Sequence, residues 1–185
     1  MKRREFLETV AGGSLLLLVP SRVSAQLLKH GKHVALRCLG DTNGSRWLDG
    51  RTANGTVGLA PKLAPPFTGT KWLVVKAGEG VIALKCEGTV NGARWLDGRT
   101  AGGTVGLAPN TDNPFTGTRW QIVQLDQNNP NIVALKCLGN IEGPRWLDGR
   151  SKDGTVGLAP RTDPPFTGTK WEVQAYPVLF DNNGS

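Results

Sequence analysis

Histidine, tyrosine and methionine are nearly missing from this chain, with two, one and one residues in 185. Both histidines, His30 and His33, stand near the start and have no later counterpart. A histidine-based triad or metal centre would therefore have to be assembled at one edge of the molecule. His30-Gly31-Lys32-His33 reads more simply as a solvated, slightly basic entry to a first strand. Helical periodicity is missing as well: past residue 25, no stretch places apolar residues at a spacing of about 3.6. Long apolar runs are absent, and the best of them, Leu15 to Val19, is too short to span a bilayer. The glycines flank turns between strands rather than a strand-to-helix step, so no phosphate-cradling loop is present. These absences leave no catalytic residue, no metal ligand and no cofactor to assign, and the chain reads as non-enzymatic.

Cysteine is scarce and odd in number, at three, which argues against a disulfide framework. Cys38, Cys86 and Cys137 end V-A-L-R-C, I-A-L-K-C and V-A-L-K-C. Val34, Leu36 and Cys38 alternate with Ala35 and Arg37, which puts the thiol on the apolar face of a strand as a small buried hydrophobe. Three thiolates meeting on a pseudo-threefold axis are the metal-binding alternative, although structural zinc usually takes four ligands.

What the chain has in abundance is glycine, proline and basic charge, with 25 Gly, 12 Pro and a formal charge of +7. Residues 1–25 read as an export signal: a charged start, a short apolar core and Val23-Ser24-Ala25 before a cleavage point at Gln26. Arg3-Arg4-Glu5-Phe6-Leu7 resembles the twin-arginine class, which carries folded proteins and implies a bacterial cell with a periplasmic or extracellular destination. An ordinary secretory signal is the alternative. Cleavage would remove four basic and two acidic side chains and lower the formal charge from +7 to +5.

Arg46-Trp47-Leu48-Asp49-Gly50-Arg51 returns at 94–99 and at 145–150, each time before [TS]-x-x-G-T-V-G-L-A-P. A second tryptophan set, Trp72, Trp120 and Trp171, gives a period of 48 and then 51 residues, the extra three falling near Gln127 to Pro130. The repeats run approximately over 30–77, 78–128 and 129–177, in one domain spanning 26–177 with a tail over 178–185. Inside a unit the alternation predicts four short strands: around Val34 to Cys38, Arg46 to Thr52, Thr56 to Ala60 and Trp72 to Val75. Asn54-Gly55 and its counterparts supply the positive φ of a tight hairpin. Twelve short strands in threefold repetition predict an all-β fold, specifically a β-trefoil, a six-stranded barrel closed by three hairpins. A three-bladed propeller is disfavoured because propellers start at about four blades.

V-A-L-K-C, R-W-L-D-G-R-T-x-x-G-T-V-G-L-A-P and F-T-G-T-[KR]-W-x-[VI] together resemble the fascin-like branch of β-trefoils over nearly the whole chain after residue 25. That resemblance implies the trefoil fold and, as one functional option, a protein-protein interaction module. It departs from that branch in having one trefoil behind an export signal. Ricin-type sugar sites do not carry over either, because Thr70-Lys71-Trp72 stands where those repeats have Q-x-W.

Trp72, Trp120 and Trp171 sit in apolar alternation with Val74, Ile122 and Val173 and read as core. The other set alternates differently. Leu48, Leu96 and Leu147 point inward, which places Trp47, Asp49 and Arg51 in a row on the opposite face, with Trp95, Asp97 and Arg99, and Trp146, Asp148 and Arg150, as copies. An aromatic plate, a carboxylate and a guanidinium in line can bind sugar by stacking and hydrogen bonds. The structural alternative pairs Asp with Arg across the hairpin, with Gly50 as a bulge. Basic residues also recur, at Arg37, Arg46, Arg51 and Lys71 and their copies. The expectation is a lectin-like module with up to three equivalent carbohydrate sites, acting as a monomer on carbohydrate or an acidic polymer, or else on protein. Nucleic acid is not expected, and neither is a transmembrane segment.

Overall fold

The computed structural model describes residues 27–41 and 43–176. The expected export signal over 1–25 and tail over 178–185 lie outside the described residues. The strands are β1 (His33–Cys38), β2 (Trp47–Arg51), β3 (Thr56–Ala60), β4 (Trp72–Gly78), β5 (Val81–Cys86) and β6 (Trp95–Arg99). They continue with β7 (Thr104–Ala108), β8 (Trp120–Gln124), β9 (Ile132–Cys137), β10 (Trp146–Arg150), β11 (Thr155–Ala159) and β12 (Trp171–Ala175). One-turn 3-10 helices at Thr68–Thr70, Thr116–Thr118 and Thr167–Thr169 precede β4, β8 and β12.

All pairings are antiparallel and join the twelve strands into one sheet that closes on itself. Its circuit takes in ten strands: β11-β3-β2-β1-β12-β9-β8-β5-β6-β7 and back to β11, with β4 bridging β1 and β5, and β10 bridging β9 and β11. Each hairpin, such as β2–β3, is stitched to a longer strand at its base, Arg37 facing Trp47. At its far end it is stitched to the other hairpins, Thr155 facing Gly58, Thr56 facing Gly106 and Gly157 facing Thr104.

This corrects the expected architecture. The β-trefoil reading set six barrel strands apart from three capping hairpins; here a closed antiparallel barrel runs through the hairpin strands as well. Repetition and alternation count strands and assign their faces, but the circuit by which a sheet closes is decided by long-range hydrogen bonds that leave no mark in a local pattern.

The core lies inside this closed sheet. Trp72, Trp120 and Trp171 are fully buried, and each indole N–H donates to a hairpin carbonyl, of Leu48, Leu96 and Leu147, at 2.9–3.0 Å. A buried indole thus has its one polar group satisfied. Burying about 200 Å² of aromatic surface at about 25 cal/mol per Å² stabilises by roughly 5 kcal/mol per ring.

The three cysteines lie at the seams between repeats. The Cys86 thiol donates to Gly50 O at 3.4 Å, Cys137 to Gly98 O at 3.4 Å and Cys38 to Gly149 O at 3.3 Å. All three are free and buried, in keeping with the alternation that placed them inward. Gly50 is not a bulge, since β2 and β3 pair without a break and Gly50 faces Val57. A Cβ there would stand 2.7 Å from Cys86 Sγ and 3.0 Å from the Trp72 ring, so glycine is required for close approach.

Candidate functional site

The repeated Trp-Asp-Arg row does share one face of β2, β6 and β10, but the structure divides it. Trp47, Trp95 and Trp146 are half-buried, Arg51, Arg99 and Arg150 are exposed, and Asp49, Asp97 and Asp148 are buried, at 6–7 % exposure. The cover over each aspartate is the repeat's own F-T-G-T turn. A Cβ on Gly69 would lie 2.8 Å from Asp49 Oδ1, and on Gly117 or Gly168 2.6 Å from Asp97 or Asp148 Oδ1. Alternation names the side of a strand a residue occupies; it does not say which other segment lies over that side.

Each arginine folds back along its hairpin. Arg51 Nε stands 3.9 Å from Asp49 Oδ2, and the Arg99–Asp97 and Arg150–Asp148 pairs are each at 3.8 Å. These are ion pairs too long to be hydrogen bonds. The guanidinium fills the space where residue 58, 106 or 157 would carry a Cβ, 2.8–2.9 Å from Nη2, which explains the glycine in T-V-G-L-A. Burial pushes the Asp49, Asp97 and Asp148 carboxyls above their ordinary value of 3.8, and the arginine beside each pulls the other way. Asp49 also accepts from the Gly69 amide. The carboxylates therefore serve the turn and the arginine rather than solvent.

The tryptophans gather a different set of partners. Lys85 Nζ lies 5.7 Å from the Trp95 ring centroid and Lys136 Nζ 5.7 Å from that of Trp146, within cation–π range. Trp95 also lines a cavity of about 250 Å³, together with Ala83, Lys76, Arg119 and Thr111. Arg99 lines a second cavity of about 170 Å³ with Thr116 and Gly117 of the F-T-G-T turn, Asn140 and Ile141. Thr116 Oγ1 donates to Asn140 Oδ1 there at 2.9 Å.

The sequence expectation took each Trp, Asp and Arg as one row; the structure buries the Asp beneath the turn and leaves the Trp and Arg at the surface. The recurrence of basic residues at 37, 85 and 136 and at 71, 119 and 170 was visible; their convergence on the tryptophans depends on strand pairing, Lys85 facing Trp95 and Lys136 facing Trp146. Lys76, Thr111 and Ala83 carried no signal of their own.

His33 Nε2 pairs with Glu87 at 2.9 Å, and His30 Nδ1 accepts from the Lys76 amide at 3.3 Å. Among the described residues, no group of three or more His, Cys, Asp or Glu is placed to hold a metal ion, and no helix is long and apolar enough to cross a membrane. No protein-family model and no curated protein matches the chain. The fascin-like resemblance therefore rests on short strand patterns alone and falls with the trefoil topology that it implied.

Proposed function

We propose that the chain is an exported, non-enzymatic binding module, lectin-like in action, taking carbohydrate or polysaccharide at up to three surface sites built on Trp47, Trp95 and Trp146. The observation that carries this reading is the Trp95 cavity, where a half-buried indole stands beside a lysine, an arginine and a threonine hydroxyl. An indole presents a flat apolar surface to the C–H face of a pyranose, and the polar rim addresses its hydroxyls. The arginines of the repeated motif follow the tryptophans on the same strands, and the aspartates hold those arginines. Three copies on one rigid barrel suit a repeating polymer, since individually weak sites gain from avidity.

The test is a panel of neutral and acidic oligosaccharides and polysaccharides against the chain from Gln26 onward. Binding that rises steeply from oligomer to polymer and falls with each Trp→Ala substitution at 47, 95 and 146 is expected. The exposed arginines favour a second reading, plain attraction to polyanions. Under it, heparin-like polymers and polyphosphate bind alike, binding collapses with salt, and the three tryptophans are dispensable.

A further inference from the structure

The three tryptophan sites are copies in sequence but not in charge. Around Trp95 stand Lys76, Lys85 and Arg119, and none of them has an acidic partner among the described residues. At Trp47 the equivalent cations are Arg37 and Lys71, and both are matched by acids. Arg37 Nη1 lies 3.5 Å from Glu172 Oε2, and Lys71 Nζ lies 3.0 Å from Glu87 Oε2. Burial works against the Glu87 carboxylate, but its hydrogen bond to Lys71 and the charges of Lys71 and His33 outweigh that and hold it below its usual range. Glu87 and Glu172 have no acidic counterparts: Leu39 and Leu138 match Glu87, and Leu73 and Gln121 match Glu172. The Trp146 site is intermediate. It keeps Lys136 and Lys170, but Gln124 replaces Lys76 and turns its amide to Asp126 O at 2.7 Å, while Leu125 replaces Ala77.

We infer that the site at Trp95 is an acidic-sugar site, selective for a carboxylate-bearing pyranose such as a uronic acid, and that the site at Trp47 is closed to such a ligand by Glu87 and Glu172, which the second and third repeats bring against its cations. The inference rests on the carbohydrate reading above. The Arg119 guanidinium is a planar fork suited to a carboxylate. Lys76 adds a second positive charge on the same cavity, and Thr111 offers a hydroxyl. Lys85 is committed to the Trp95 ring, so it holds the indole in place and contributes field rather than a direct contact. A sugar carboxylate arriving at Trp47 would instead meet cations already neutralised and two carboxylates that repel it.

The experiment titrates the chain from Gln26 onward with a short oligogalacturonate and with its carboxyl-reduced neutral counterpart, by calorimetry and by the indole N–H signals in NMR. Wild type should prefer the acid by on the order of 10-fold, about what one charge-assisted, two-pronged contact supplies, with the Trp95 signal moving first. Arg119→Gln should lose on the order of 10-fold for the acid and little for the neutral oligomer, and Arg119→Lys should fall between. Lys152→Gln removes the same charge from an exposed hairpin turn and should leave both affinities unchanged. Glu87→Gln should move the Trp47 signal at acid concentrations where wild type does not. Equal losses from Arg119→Gln and Lys152→Gln would reduce the preference to net charge and overturn the inference. Neutral sugar bound as well as acid would overturn it while leaving the carbohydrate reading standing. Failure of both oligomers to bind the folded protein would overturn the two together.

Discussion

Two tryptophans open strands in every repeat, and they meet opposite surroundings. Trp120 begins β8, is fully buried and donates its N–H to Leu96 O, whereas Trp95 begins β6, is half-buried and faces Lys85 across the sheet. The residue type and the strand position are shared, so neither decides burial. The neighbours decide it: Ile122 continues the apolar face of Trp120, while Asp97 and Arg99 continue the face of Trp95. One tryptophan set is buried inside the barrel, and the other stays half-exposed on its surface.

The comparison is sharpest in stability. Trp120→Ala should cost about 3–5 kcal/mol, as for other large aromatics removed from cores, and it also strands the Leu96 carbonyl. Trp95→Ala should cost on the order of 1 kcal/mol, because part of its surface is already in water. Urea unfolding of the two variants measures both. Equal, large losses would make Trp95 a core residue and take away the plate on which the proposed binding site is built.

The same contrast marks how far the sequence could be read. Strand positions, the buried thiols and the core tryptophans were legible because each is a local alternation written three times. The closure of the sheet was not, because it depends on single-residue bridges such as Thr155 to Gly58 between segments almost one hundred positions apart. Of the candidate site, the surface positions of Trp95 and Arg99 were legible from alternation, but the F-T-G-T turn that covers Asp97 comes about twenty residues later, and no pattern within β6 announces it.

Glycines offer a narrower comparison within one hairpin. A Cβ at Gly98 would stand 2.7 Å from Cys137 Sγ and 3.0 Å from its Cβ, whereas one at Gly102 would meet nothing nearer than Thr104 Oγ1 at 3.8 Å. Gly98→Ala should therefore cost about 1–3 kcal/mol by overpacking. Gly102→Ala should be close to neutral in the same urea assay. A tolerated Gly98→Ala would mean that the seam between repeats has slack, and the account of its cysteine and glycine pairing would fail.

The smallest effect is the one that reports most directly on the site, and it sets two kinds of carboxylate against each other. Asp97 and its copies are held above 3.8 by burial, while Glu87 is held below 4.5, burial being outweighed there by its hydrogen bond to Lys71 and the charges of Lys71 and His33. A raised folded-state value means that the native protein takes up the proton before the unfolded chain does. The stability from that difference is complete below 3.8 and is lost as pH rises through the folded value. For Glu87 the sign reverses, with stability present above 4.5 and lost as pH falls through its lowered value. Urea midpoints followed from about pH 7 to about pH 3 should thus show wild type gaining on the Asp49→Asn, Asp97→Asn, Asp148→Asn triple variant as pH falls, and losing on Glu87→Gln. If wild type and the triple variant run parallel instead, the three carboxyls titrate as though in water. The F-T-G-T turns would then not seal them, and the aspartates would again be free to contact a sugar alongside the tryptophans.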